Sequence, residues 1–168
     1  MLEIPLQENL RNTQKISELT TKFYRGAPMR ALGSEGQDVE RIVVRDASEV
    51  ERAVSRVLHQ LIKDNGVAPS DIAVLMGSAR AGALRRGKRI GAFETTEDQT
   101  AEPRKVLLES IRRFKGLERP VVVLTAIDEL SADDETALLY VGLSRARVHL
   151  IVIATDVTMS RLDLECGA

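Results

Sequence analysis

Two short segments of the 168-residue chain carry charged side chains of types that bind phosphate groups. Residues 110–118 read SIRRFKGLE, and residues 140–147 read YVGLSRAR. Arginine suits phosphate because its planar guanidinium keeps its charge and donates several hydrogen bonds in a fixed arrangement. Each segment directly precedes an apolar run typical of a buried strand. Taken singly, each also fits a purely structural interpretation, as a glycine turn or as an arginine-bearing helix end.

A phosphate-binding loop of the Walker type is not supported by the sequence. Residues 82–88, GALRRGK, match the spacing G-x-x-x-x-G-K, but Arg89 stands where Ser or Thr would hold magnesium. The preceding apolar run ends near Met76, whereas phosphate loops turn directly from a strand into a helix. We therefore interpret residues 82–88 as a basic surface turn.

The sequence also contains no residue pattern typical of a metal site or of a catalytic nucleophile. His59 and His149 have no Cys or His companions at ligand spacing, and the single Cys166 excludes an intrachain disulfide or a cysteine zinc cluster. Asp128 ends an apolar run, a pattern that is very common at the end of a buried strand, so we interpret it as a solvated strand end. We expect no metal ligands on this chain.

The composition of the chain excludes several classes of function. The chain has 24 Lys and Arg against 25 Asp and Glu, so any nucleic-acid contact must come from a local patch. Its three Phe and two Tyr, with no Trp, are too few for a base-stacking sheet. The apolar runs are too short to span a membrane and no signal segment opens the chain, so we expect a cytoplasmic protein without membrane contact.

The elements that must position these residues follow from apolar periodicity. Strand-like runs occupy residues 40–46, 71–76, 105–111, 120–127 and 148–154. Continuous apolar runs of this length indicate strands covered on both faces, as in a parallel sheet.

Helical segments lie between the runs. Ser48 with Glu51 predicts a capping box, and apolar residues then recur at helical spacing until Gly66 ends the helix. Residues 133–146 are acidic at the start and basic near the end, which suits a helix dipole. Thr13 is predicted to open a helix near the N-terminus. Residues 77–104 are irregular and are predicted to form a loop–helix excursion.

A third segment, near the N-terminus, precedes the two phosphate-binding candidates along the chain. Residues 6–13, LQENLRNT, precede DIAVLMGS and the two segments described first. In this order the three segments resemble the fourth, fifth and sixth motifs of superfamily-1 DNA helicases of the UvrD/Rep type. The resemblance extends over most of the chain.

The resemblance implies a fold and partners. Residues 1–168 would be the second RecA-like motor domain, the C-terminal fragment of a longer protein. Its fold would be a three-layer α/β/α sandwich with a mostly parallel sheet, of the P-loop NTPase type but without its own P-loop. ATP with Mg²⁺ would lie between this domain and an N-terminal RecA-like domain that supplies the phosphate loop and magnesium ligands. The isolated chain would therefore be inactive.

The resemblance also implies roles on the nucleotide side. Arg11 and Arg145 correspond to the arginines that reach the γ-phosphate of ATP. Glu118 corresponds to the acid near the nucleotide sugar, and Gly116 would let the backbone approach the ligand. Lys115 would serve either the shape of the loop or a phosphate.

Single-stranded DNA would be contacted by the start of the same segment. Ser110 matches a Thr whose hydroxyl reaches a DNA phosphate, Arg112 stands where many relatives have His, and Arg113 adds a second cation. Such residues contact phosphate without reading sequence. The alternative is a solvated basic loop.

Some positions depart from the family pattern. Leu10 replaces an aromatic that stacks on adenine in many relatives, and Arg119 stands where an aromatic or apolar residue is usual. About a hundred residues separate the fourth and fifth motifs, which leaves no room for a large accessory domain. ATP-driven translocation or a nuclease-coupled role therefore fits better than full duplex unwinding. Two other hypotheses stay open: a non-catalytic α/β module that docks proteins, and a small nucleotide-binding enzyme that uses residues 82–88.

Overall fold

A seven-stranded, mostly parallel sheet organises the protein. The computed structural model describes residues 8–27, 29–77, 84, 88–100, 103–130 and 132–164. The strands are β1 (Glu8–Asn9), β2 (Arg30–Ala31), β3 (Glu40–Val44), β4 (Ile72–Met76), β5 (Arg89–Ile90), β6 (Phe93–Thr96), β7 (Val106–Ser110), β8 (Arg119–Thr125) and β9 (Ala146–Thr155). The large sheet has the order β3-β9-β8-β4-β7-β6-β5. All its neighbours are parallel except β5 and β6, and the short strands β1 and β2 pair separately in parallel.

Helices cover both faces of this sheet. They are α1 (Gln14–Thr21), α2 (Ala47–His59), α3 (Ala132–Leu143) and α4 (Asp156–Arg161), and a π-helix, Gln60–Asp64, continues α2. A 3-10 turn at Pro69–Asp71 leads into β4. No helix in the described part of the chain is long and apolar enough to cross a membrane.

The side chains of β4 show how the three layers form. Ile72, Val74 and Met76 pack into the apolar cluster of α2, while Ala73 and Leu75 pack into the cluster that contains α1, α3 and α4. Successive side chains of a strand point to opposite faces, so a fully apolar strand joins two cores. The predicted three-layer α/β fold with a mostly parallel sheet is confirmed.

The start of α1 agrees with the sequence prediction, whereas the cap of α2 and the end of α3 do not: α3 ends at Leu143, and Ala146 already begins β9. The side chain of Thr13 accepts a hydrogen bond from Ile16 N and starts α1 as predicted. At α2 the capping residue is Asp46, whose carboxylate accepts from Ser48 N, so the predicted Ser48–Glu51 box is wrong. Ser48 lies inside the helix instead. Gly66 has a φ of +69° after the π-helix, as its predicted role as helix stop requires.

The irregular stretch 77–104 contains strands that the sequence analysis did not predict. β5 and β6 form an antiparallel pair at the edge of the sheet. Of the predicted basic turn at 82–88, only Leu84 and Lys88 are described, so that prediction lies outside the described residues, as does Cys166.

The direction of the parallel strands separates two groups of predicted site residues. β7 ends at Ser110, so the residues that follow it lie at the carboxyl edge of the sheet. β8 begins at Arg119 and β9 at Ala146, so Glu118 and Arg145 lie at the amino edge. Residues 111–118 connect the two edges by crossing one face of the sheet.

Candidate functional site

An ion pair joins two of the predicted site residues at the amino edge. Arg11 Nε lies 2.7 Å from Glu118 Oε1, and the two side chains are 50% and 30% exposed. Arg11 precedes α1, and Glu118 is the last residue before β8. The fold thus brings the segment around residue 11 to the end of the 110–118 segment, while leaving both charged groups accessible to solvent.

Arg145 lies beside this pair, half-buried in the turn between α3 and β9. Its Nε donates to Val141 O at 2.9 Å, and its Nη2 donates to Ser144 Oγ at 3.1 Å. Burial and repulsion by Arg11 lower the pKa of Arg145, and attraction by Glu118 partly opposes them. An arginine keeps its proton in proteins, so two cations share one carboxylate here.

Asn12 ties the turn that contains Arg145 to the segment that contains Arg11. Its side chain is buried, and Nδ2 donates to Ser144 O at 3.0 Å and to Ala146 O at 2.6 Å. Asn12 Oδ1 accepts from Asn9 Nδ2 at 3.1 Å. The sequence analysis missed both asparagines. The available signal was the recurrence of amide side chains at positions 9 and 12, shortly before the helix cap at Thr13.

The segment that ends at Glu118 is anchored by an aromatic ring. Phe114 is fully buried, and the guanidinium of Arg119 lies 6.0 Å from its ring centroid. Arg119 also donates to Glu118 O at 3.0 Å and to Gln99 O at 2.9 Å. This departure from the usual aromatic or apolar residue is therefore accommodated by contacts that fix the chain next to Glu118.

Gly116 and Lys115 lie on the same crossing segment. Gly116 has a φ of +90°, and a Cβ added there would meet no atom within 4 Å. The backbone conformation, and not crowding within this domain, is therefore what favours glycine. The side chain of Lys115 is exposed.

The predicted DNA contacts lie at the opposite edge and do not join the arginine cluster. Ser110 is buried, and its Oγ accepts from Arg113 N at 3.4 Å. Arg112 is exposed. Arg113 is paired with two carboxylates: its Nε lies 3.3 Å from Glu109 Oε2, and its Nη1 lies 3.7 Å from Glu97 Oε2.

A cavity of about 630 Å³ opens next to the arginine cluster. Arg11 and Ser144 contribute to its wall, as do Tyr24 and Tyr140, whose ring centroids are 5.0 Å apart. Leu10 lines the same cavity and is 71% exposed.

Asp128 is not the solvated strand end that the sequence indicated. Its carboxylate is half-buried and accepts from Thr155 N at 2.9 Å and from Thr155 Oγ1 at 2.6 Å. It therefore links the end of β8 to the start of α4. Among the described residues, no group of three or more His, Cys, Asp or Glu side chains is arranged to hold a metal ion.

Part of this chain is similar to a known protein family, and its fold is similar to that of a solved structure. Residues 105–153 match the model of the UvrD-like helicase C-terminal domain. The predicted resemblance to UvrD-type helicases is confirmed. A solved structure described as the C-terminal domain of a possible DNA helicase from Lactobacillus plantarum WCFS1 has a similar fold, with a TM-score of 0.62 and 22% identity over 86% of each chain. Comparison with curated proteins gives no match.

The UvrD-like match includes some of the candidate residues and not others. It extends over the 110–118 and 140–147 segments, including Glu118 and Arg145. Arg11 and Asn12 lie before the matched range, so their assignment rests on the residues themselves and on their contacts with Glu118 and the Arg145 turn. Together the comparisons support a helicase motor domain in general terms.

Proposed function

We propose that this chain is the second motor domain of an ATP-dependent DNA helicase or translocase. In this proposal, Arg11 and Arg145 contact the γ-phosphate of ATP held against an N-terminal RecA-like domain. The observation that supports it best is the convergence of two arginines and Glu118 from three separate segments at one edge of the sheet.

The electrostatics of the cluster favour an anionic ligand. Two guanidiniums lie near one carboxylate, and burial and repulsion by Arg11 both lower the pKa of Arg145. A phosphate oxygen near these groups would relieve that repulsion, and guanidiniums bind such oxygens in bidentate geometry. The donor set therefore fits a triphosphate.

Arginines in this position act on the charge that develops during phosphoryl transfer. ATP with Mg²⁺ supplies the reactive phosphoryl group, and the N-terminal domain would supply the metal ligands. Arg11 and Arg145 would stabilise negative charge on the transferred group, an effect that is largest where water is excluded. Glu118 would orient Arg11 and contact the nucleotide sugar, beside Gly116 and Lys115.

The carboxyl edge of the sheet would meet single-stranded DNA. Ser110 is the last residue of β7, and Arg112 and Arg113 follow it there. Because residues 111–118 connect this edge to Glu118, the two ligands would contact opposite ends of one segment. Movement of that segment on ATP turnover would be transmitted to the DNA phosphates.

Phosphate release measured with two proteins tests the proposal. We expect no turnover from the isolated chain, and DNA-stimulated turnover from the longer protein that includes the N-terminal domain. Turnover by the isolated chain that disappears in Lys88→Ala would instead favour an enzyme that uses residues 82–88. A longer protein without ATP turnover would favour the non-catalytic interaction module.

A further inference from the structure

The side chain of Asn12 uses both of its donor hydrogens and its acceptor oxygen at one place in the fold. Its two amide hydrogens are donated to Ser144 O and Ala146 O, the carbonyl groups on either side of Arg145. Its carbonyl oxygen accepts from Asn9 Nδ2. With 3% of Asn12 exposed, water cannot replace these bonds without opening the turn.

Asn9 fixes the other end of this arrangement. Asn9 Oδ1 accepts from Arg11 N at 3.0 Å and from Asn12 N at 3.5 Å, and Asn9 Nδ2 also donates to Ser17 Oγ at 3.3 Å. The backbone at Arg11 and the amide of Asn12 are therefore held by the same side chain. Asn12 in turn bonds to both residues that flank Arg145, so the backbone at Arg11 is connected to the Arg145 turn through these two asparagines.

We propose that Asn12 is a positioning residue that holds Arg145 in register with Arg11. The inference rests on the proposed function, because the two arginines would act on one phosphate group. Asn12 itself touches no reacting atom. It fixes the backbone on both sides of Arg145 relative to the segment that contains Arg11.

Only an amide of this length satisfies the contacts. Asp has no hydrogens to donate and would place a carboxylate against two carbonyl oxygens, while Ala leaves both carbonyls without the donor. A shift of about 1 Å at a catalytic group can reduce turnover by about a hundredfold. We therefore expect a catalytic defect that arises without any change to an arginine.

A double-mutant cycle in the longer protein tests this role. Its members are Asn12→Asp, Arg145→Ala and the double variant, with Gln14→Ala as the matched control. Gln14 Nε2 also donates to a backbone carbonyl, that of Gly33 at 2.9 Å, but it has no bond to the Arg145 turn. The kcat and KM for ATP are measured well below the melting temperature of every variant.

We expect Asn12→Asp to lower kcat by about a hundredfold while KM for ATP changes little, and Gln14→Ala to leave both constants unchanged. We also expect the double variant to be no slower than Arg145→Ala, because a misplaced arginine and a missing one remove the same interaction. Asn12→Ala takes the place of Asn12→Asp, with the same expected result, if the aspartate variant does not fold.

Two results would overturn the role of Asn12. One is a folded Asn12 variant with normal kcat beside an inactive Arg145→Ala. The other is a double variant whose loss equals the product of the single losses. Normal turnover in Arg145→Ala itself is a different failure, since it removes the proposed function of the arginine and the inference with it.

Discussion

Arg11 and Glu118 form an ion pair with 2.7 Å between Nε and Oε1, at the place where the start of α1 meets the end of the β7–β8 connection. Both side chains keep substantial exposure, so solvent screens the pair and its contribution to folding is below about 1 kcal/mol. An accessible, weakly stabilising pair can exchange partners at low cost. Arg11 can therefore turn from a carboxylate to a phosphate oxygen when a nucleotide binds.

Glu118→Gln separates the two roles of this carboxylate. We expect a change in the free energy of unfolding below about 1 kcal/mol, because the pair is exposed. If Glu118 contacts the nucleotide sugar, KM for ATP rises about tenfold, the value of one charge-assisted hydrogen bond. If it serves only as the partner of Arg11, KM falls, because the added positive charge attracts ATP. Glu94→Gln, which removes an exposed partner of Arg89, is the control and should change neither quantity.

Binding of single-stranded DNA should depend on both loop arginines. We expect Arg112→Ala and Arg113→Ala each to weaken binding, because each removes a cation that can contact a DNA phosphate. Arg113 is paired with Glu97 and Glu109 in the absence of DNA. Each lost phosphate contact lowers the salt slope by about 0.7 for single strands, and we expect overall affinity in the high micromolar range or weaker. Fluorescence anisotropy over a salt series measures both quantities.

The matched control for these variants is Arg104→Ala. Arg104 is an exposed cation that precedes β7, at the amino edge of the sheet. Glu109→Gln should tighten DNA binding, since it removes the buried carboxylate beside Arg113. Salt-insensitive binding, or equal losses from all three arginine variants, would contradict a DNA contact at this loop.

The acid sensitivity of the fold should depend on Asp128. Burial raises the pKa of Asp128, but hydrogen bonds from Thr155 and Thr158 outweigh burial and hold the pKa below its usual 3.8. A carboxyl group whose pKa is lower in the folded state stabilises the fold above pH 3.8 and loses this effect as pH falls through the folded pKa. Asp128→Asn should therefore cost about 1 kcal/mol near neutral pH, a value reduced for partial exposure, and progressively less on acidification.

Urea unfolding at a series of pH values measures this difference. Asp38→Asn is the control, because Asp38 is 86% exposed in its ion pair with Lys15. A constant difference between the native protein and Asp128→Asn over the whole acid range would show that the carboxylate does not link β8 to α4.

Local patterns predicted most of the fold because burial and caps are local properties. The strand β4 is apolar at every position and buried at every position, and Thr13 starts α1 as its side chain predicts. β5 and β6 were missed because strands of two and four residues carry too short a pattern. The cap of α2 was misassigned because Asp46 and Ser48 are both good capping residues, and only the backbone decides between them.

The candidate site was predictable only as far as it resembles motifs. Arg11, Glu118 and Arg145 were selected from their segments, and the fold brings them together. The bonds of Asn12 could not be predicted, because their acceptors lie 132 and 134 positions away and are backbone atoms without a residue signature. The same holds for Asp128, whose donors belong to Thr155, the last residue of another strand, β9.

Arg145 gives the sharpest test of the proposed function, because its effects on stability and on ATP turnover can be predicted separately. Its guanidinium bonds to Val141 O and Ser144 Oγ place a cation at the end of α3, where the helix dipole favours one. Arg145→Ala should therefore lower the free energy of unfolding by about 0.5–1 kcal/mol. If Arg145 also contacts the γ-phosphate, ATP turnover in the longer protein should fall about a thousandfold, far beyond what so small a loss of stability explains.

Two companion variants separate these effects. Arg145→Lys keeps a cation at the helix end but loses the planar fork, so we expect stability close to that of the native protein and turnover nearly as low as in Arg145→Ala. Arg147→Ala removes an exposed arginine on β9, two residues further along the chain, and should leave turnover unchanged. Melting temperature and turnover are measured on the same preparations of all three variants. Preserved turnover per folded molecule in Arg145→Ala would limit this residue to capping α3, and would leave Arg11 as the arginine of this cluster available to the phosphate.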